Sequence, residues 1–254
     1  MANFDFHDYV ERRKGARAAE IREGLAYAYA GDRRILRTLD RVRPVQTALR
    51  AAVELWRMRA RAELLGPAVR VSATVQPEVH GAALECAAQL HVGMPAVFVT
   101  PAPIEEVDLC TLGSDDEAAI LVHSSLPDQL SPRELVATLG RELGHMQNRH
   151  VALGTTLYLL RHAGERFGRW TVRPALAALE LWERRAEITA DRAALIACRD
   201  LDVASSAIGK RGASEGRRGA LALFAQSRYY TGLSGEATGL SPEECDARVA
   251  ELLK

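Results

Sequence analysis

The sequence predicts an α+β fold in which helices dominate, and three observations carry that expectation. Val45, Leu49, Ala52, Val53 and Trp56 recur at helical spacing within a largely helical stretch, residues 8–63. Three short strand-like runs follow between residues 68 and 125, and helical patterning resumes from there to about residue 208. Helices, then a few strands, then long helices is the order of an α+β protein with a small sheet and N-terminal helices. With 48% apolar residues in a chain of 254, there is enough material for a sizeable core.

Each element has its own signal. Gly66-Pro67 ends the N-terminal helices, and "AVRVSATV" (68–75) alternates apolar and small polar residues as a strand does. "PEVHGAALECAAQLHV" (77–92) reads as an amphipathic helix and "AVFVT" (96–100) as a second strand. The acidic turn 114–117 introduces a third, "AAILVHSS" (118–125). The run "GKRGASEGRRG" (209–219) reads as a flexible basic loop, with one or two short helices after it. The organisation expected is an N-terminal helical region at 1–67, a core at 68–208, and a basic loop with C-terminal helices packing on that core at 209–254. Trp56, Trp170 and Trp182 sit among apolar residues and are expected inside.

Charge excludes some functions. The formal net charge is zero, so global electrostatics offers nothing to nucleic acid or to an anionic membrane. Residues 1–63 hold fourteen Lys/Arg against nine Asp/Glu, the pattern of a solvated helical surface. Cys86, Cys110, Cys198 and Cys245 are far apart, which suits a reducing cytoplasm and no disulfide framework. The polar N-terminus lacks an apolar signal core. The most apolar run, 151–160, is half the ~20 residues a membrane span needs. The expectation is a soluble cytoplasmic protein without a membrane span. No phosphate loop, nucleophile elbow or nucleic-acid module is present.

The chemistry concentrates in "LSPRELVATLGRELGHMQNRH" (130–150). Ser131 can cap a helix, Pro132 suits its first position, and Glu134 completes a capping box. Within that helix Arg141 and His145 are four residues apart on one face, with Glu142 beside them. This is the frame of the zinc-peptidase helix H-E-x-x-H with its first letter changed. A second helix, "LWERRAEITADRAALIAC" (181–198), carries Glu187 and Asp191 one turn apart. Glu187 can bind a metal, and Asp191 can orient a ligating histidine through its free nitrogen.

These two helices, with "TLGSDDEAAILVHSSLPDQLSPRELVATLGRELGHMQNRH" (111–150), resemble the gluzincin zinc peptidases of the HtpX and CAAX prenyl protease family, particularly its soluble bacterial members. The resemblance covers roughly residues 68–200 and implies a zincin-like core. It implies ligand positions at His145 and Glu187, a general-base position at Glu142, and a supporting aspartate at Asp191. It also implies a substrate cleft along an edge strand at Ala118–His123, drawing on Ile120, Leu121, Val122 and His123, with Asp108 and Leu109 beside it.

Three departures accompany the resemblance. Arg141 stands at the first histidine ligand, and guanidinium has no lone pair to give a metal. Asp108-Leu109 replaces the family's frequent Asn-Ala, and Ser241-Pro242 stands nearest to where a C-terminal His-Pro is usual. Arg141 is explained as a substitute cation, bonding Glu187 bidentately where zinc would neutralise it, the alternative being that it merely points to solvent. The expectation is a zinc-free pseudopeptidase without a cofactor. It engages a protein or an extended peptide through the former groove or the N-terminal helices. The alternative is an active zinc endopeptidase in which His123 or a water replaces the missing ligand. His150, about 140° around a continued helix from His145, is expected to be structural.

Overall fold

The computed structural model describes residues 22–39, 41–56, 58, 62, 65–101, 108–163 and 169–253, without the side chains of 162, 163 and 169–172. The helical reading at 8–21, 40, 57, 59–61 and 63, and the side chain of Trp170, lie outside the described residues. The remainder is mostly helical around one four-stranded sheet.

Helices α1 (Ala30–Leu39) and α2 (Arg43–Leu55) precede the sheet, whose first strand β1 is only Val69–Arg70. The strand expected at 68–75 stops there because the chain turns back on itself, Ser72 bridging Val75. Helix α3 (Pro77–Gln89) leads to β2 (Ala96–Thr100), then β3 (Leu109–Gly113) and β4 (Ala118–His123). The order is β1-β2-β4-β3, with β2 and β4 parallel and the other pairs antiparallel. Strand β3 escaped the sequence reading because both its faces are covered, which removes the alternation that marks a half-buried strand. Leu109 enters the main core, while Leu112 packs beside Trp56 on the other side.

One face of the sheet holds Val97, Val99, Ile120 and Val122 against α3 and α5 (Pro132–Gln147); the other places Ala119 and Leu121 beside Leu65 and Phe98. A one-turn helix α4 (Leu126–Gln129) precedes α5, and α6 (Val151–Ala163) and the long α7 (Arg169–Cys198) follow it. Helices α1 and α2 close a second apolar cluster with α6 and α7, built on Leu39, Val45, Leu157, Leu179 and the buried Trp182.

The chain ends in α8 (Leu201–Lys210), α9 (Glu215–Ala225), α10 (Arg228–Gly232) and α11 (Pro242–Leu252). The flexible loop expected at 209–219 is corrected: only residues 211–214 lie between helices. Asp200 caps the start of α8 and Ser214 that of α9, and Gly212 at φ 76° makes the turn. One buried cluster contains Tyr27 and Tyr29, the inner face of the sheet, and Phe224, Cys245 and Val249. The three sequence segments therefore share a core.

Candidate active site

Helix α5 starts where its capping box places it. Ser131 Oγ accepts from the Glu134 N–H, and the Glu134 carboxylate accepts the Ser131 N–H at 2.8 Å. Two turns later the helix meets α7 at very short range. A Cβ on Gly140 would stand 2.6 Å from the Ala197 Cβ, and one on Gly144 2.4 Å from that of Ala193. The glycines four apart on α5 and the alanines on α7 let the two backbones touch. That approach brings Arg141 of α5 to Glu187 and Asp191 of α7.

Arg141 is buried and bridges both carboxylates. Nη2 donates to Glu187 Oε2, and Nε donates to Asp191 Oδ1 at 3.0 Å. The bidentate pair with Glu187 alone is thus corrected: the fork is divided, because α7 presents its two acids one turn apart. A second guanidinium joins from α9. Arg217 donates from Nε and Nη2 to Asp191 at 2.8 and 2.7 Å, and its Nη2 lies 2.9 Å from Glu187. Two guanidiniums face two carboxylates, so the cluster is neutral. Burial opposes each charge, and the opposite charges overcome it: Glu187 is held well below the usual carboxylate range, and Arg141 and Arg217 are raised. The sequence places Arg217 in the loop expected at 209–219, where it is one of the adjacent pair Arg217-Arg218, three residues after Ser214.

The remaining residues of the motif are also engaged. Glu142 Oε2 accepts from the Thr111 hydroxyl of β3 at 2.7 Å. His145 sets Nε2 3.5 Å from Glu187 Oε1 and Nδ1 3.1 Å from His150 Nδ1. Burial disfavours a charged imidazole here, but Glu187 and Glu142 outweigh it, and the His145 pKa is raised. The wheel argument for His150 fails because α5 ends at Gln147 and Arg149 turns left-handed at φ 60°. His150 then folds back, its Nε2 3.1 Å from Asp32 of α1. Asp32 is itself buried and accepts from Trp182 Nε1 at 3.1 Å and Thr189 Oγ1 at 2.6 Å. A continuous chain of groups, Glu187–His145–His150–Asp32, runs from the site to the N-terminal helices. Nothing in the spacing of the sequence pointed to Asp32.

A groove of about 670 Å³ opens onto this cluster, lined by Leu109, Thr111, Glu142, Glu187, Arg211 and Arg217 among others. The cleft expected along β4 is corrected. Strand β4 lies between β2 and β3, and Ile120, Leu121 and Val122 are fully buried, because two neighbours take its backbone groups and the core takes its side chains. The edge beside the groove is β3. Leu109 lines it, whereas Asp108 is exposed just outside the lining. His123 is also outside the lining, with Nδ1 2.7 Å from the Ser125 hydroxyl. Cys110 faces the groove, but burial pushes its thiol up to about 12, so it is no ready nucleophile.

The donor set does not fit a catalytic zinc. Three protein ligands must converge with free lone pairs, and the guanidinium of Arg141 has none. Among the described residues, no three His, Cys, Asp or Glu side chains are grouped to hold a metal ion. Glu187 already carries two cations.

A helix with R-E-x-x-H, crossed by one with E-x-x-x-D beside a sheet edge, has the layout of a metallopeptidase centre. A model of Peptidase family M48 matches residues 73–211, more than half of the chain, and the chain belongs to that family. It is 32% identical over 151 residues to the plastoglobule-localized metallopeptidase 48, chloroplastic, of Arabidopsis thaliana, covering 58% of this chain and 44% of that protein. It is also 32% identical over 101 residues to the protease HtpX homolog of Moorella thermoacetica, covering 40% of this chain and 31% of that one. The matched part spans less than half the length of either relative. No solved structure matches the chain significantly. Among the described residues, no helix is long and apolar enough to cross a membrane.

Proposed function

We propose that this chain is a zinc-free pseudopeptidase of family M48 that binds an extended peptide, or a peptide-like segment of a protein, in the former substrate groove. The observation that carries the reading is the buried guanidinium of Arg141 between Glu187 and Asp191. Peptidases of this family are normally zinc enzymes, and a zincin-like centre places a metal between two helices as a shared cation. Arg141 and Arg217 supply that charge here, so the helix pair is neutralised without a metal. In this reading Glu142 is an idle general-base position, and His145 and Glu187 are idle ligand positions. The four cysteines are free, which supports the cytoplasm as the place of action.

Binding survives the loss of the cutting centre because it uses backbone groups. A strand edge pairs with an extended chain through N–H and C=O whatever its side chains. The β3 edge lies on the groove, and Thr111 links it to Glu142.

Elemental analysis of the purified protein tests the reading. The expected result is far less than one zinc per chain; stoichiometric zinc that survives mild chelation overturns it. Arg141→His alone leaves Arg217 on Glu187 and gains zinc weakly. Arg141→His combined with Arg217→Ala clears both cations and approaches one zinc per chain. If the double variant binds none, His145 or Glu187 is not a ligand position.

A further inference from the structure

Arg211, in the turn between α8 and α9, is a cation with too few partners. Its Nη2 donates to the Leu109 carbonyl at 3.2 Å, while its Nε is buried without a hydrogen-bond partner. Among the described residues it makes no ion pair, since Glu187 and Asp191 are taken by Arg141 and Arg217. Burial first, and then the charge of Arg141, lower its pKa more than Glu142, Glu187 and Asp108 raise it. A buried donor left unsatisfied is costly, and an ordered water or the acceptor of a ligand can relieve it. Arg211 lines the groove.

The β3 edge limits what such a ligand can be. The His123 N–H bonds to the Asp108 carbonyl, so residues 108, 110 and 112 face β4, and 109, 111 and 113 face away. Of these outward groups, the Gly113 N–H already donates to Thr155 Oγ1 at 2.8 Å, and the Leu109 carbonyl is held by Arg211. Thr111 keeps an outward N–H and C=O between the two obstructions. A strand running past both would have to displace them; a strand that ends at Arg211 would not.

We propose that the groove takes the C-terminal end of an extended peptide, with Thr111 pairing its backbone and Arg211 holding its free carboxylate. This rests on the peptide-binding reading above and names the ligand class. The carboxylate supplies acceptors and an opposite charge to a guanidinium that has only the Leu109 carbonyl, and charge-assisted bonds of this kind are the strong ones.

The test uses the full chain, immobilised, and a randomised pool of N-acetylated hexapeptides made once as free acids and once as C-terminal amides. The captured fraction is read by mass spectrometry. The acid pool is expected to be retained about tenfold more than the amide pool, and Arg211→Gln to bring it to the amide level. Equal retention of the two pools overturns the carboxylate site while leaving peptide binding in the groove intact. Retention of neither pool removes the peptide reading and this proposal together. Acid-pool retention unchanged in a natively melting Arg211→Gln also overturns it. Should that variant melt early, the acid-to-amide ratio on the unsubstituted chain decides alone.

Discussion

Removing the guanidinium at position 141 leaves Glu187 and Asp191 facing Arg217 as their only cation within the cluster. Breaking a buried ion pair from one side costs about 3–5 kcal/mol, and Arg217 holds the loss near the lower figure. Urea melts should therefore place Arg141→Ala about 3 kcal/mol below the unsubstituted protein. Arg141→Ala with Arg217→Ala should lose more than the sum of the single changes, because the second cation is then gone too. Additive losses would mean that the two arginines act independently. The same cluster weakens in acid. Glu187 is held below its ordinary pKa of 4.5, so its contribution is present above that value and fades as pH falls through the folded value.

At the level of elements, the α5–α7 contact positions every group of the site. Gly144→Ala drives a methyl into Ala193 and should cost about 1–3 kcal/mol, whereas Gly154→Ala, with open space around it, should be nearly neutral or stabilising. The two thermal melts together separate helix crowding from a general effect of losing glycine. The start of α5 is tied to α8 by Glu134, which accepts from Ser206 at 2.7 Å and Lys210 at 2.8 Å. Burial works against its charge, but Lys210, Ser131 and Ser206 bring its pKa down to about 2. That is a depressed acid, so its stabilisation exists above pH 4.5 and disappears between there and about 2. Glu134→Gln should remove on the order of 1 kcal/mol at pH 7 after solvent screening, and should lie closer to the unsubstituted protein at pH 2. A constant gap across that range would contradict this account.

The whole molecule is held together by α7. It faces α5 in the main core, Trp182 and Leu179 belong to the N-terminal cluster, and Arg192 reaches Asp246 of α11 at 2.7 Å. The described parts of the three segments should therefore unfold together. Urea unfolding followed by tryptophan fluorescence and by far-ultraviolet circular dichroism is expected to give one coincident transition. Two separated transitions would show that the N-terminal helices are an independent unit. Asp32→Ala removes the acceptor of Trp182 and Thr189 together with the carboxylate 3.1 Å from His150 Nε2, and should shift that transition by about 3 kcal/mol.

The elements that sequence alone determined are those whose signals are local. The cap at Ser131 and the helical face that carries Arg141, Glu142 and His145 follow from spacing along one helix, and the pairing of that helix with Glu187 and Asp191 came from the family resemblance. Spacing repeats every few residues and needs no partner to be read. The tertiary structure decided what spacing cannot carry. Whether β4 is an edge depends on which strand comes to lie beside it, and β3 was hidden by burial on both faces. Arg217 and Arg211 look like loop charges until α8 and α9 turn them onto α7 and β3. His150 falls beside His145 only because the helix ends at Gln147, and Asp32 is joined to it from more than a hundred residues away. The sign of the site's charge was thus legible early, since a guanidinium cannot do the work of an imidazole. Its balance was not, because neutrality is a property of side chains gathered from three elements, and only packing gathers them.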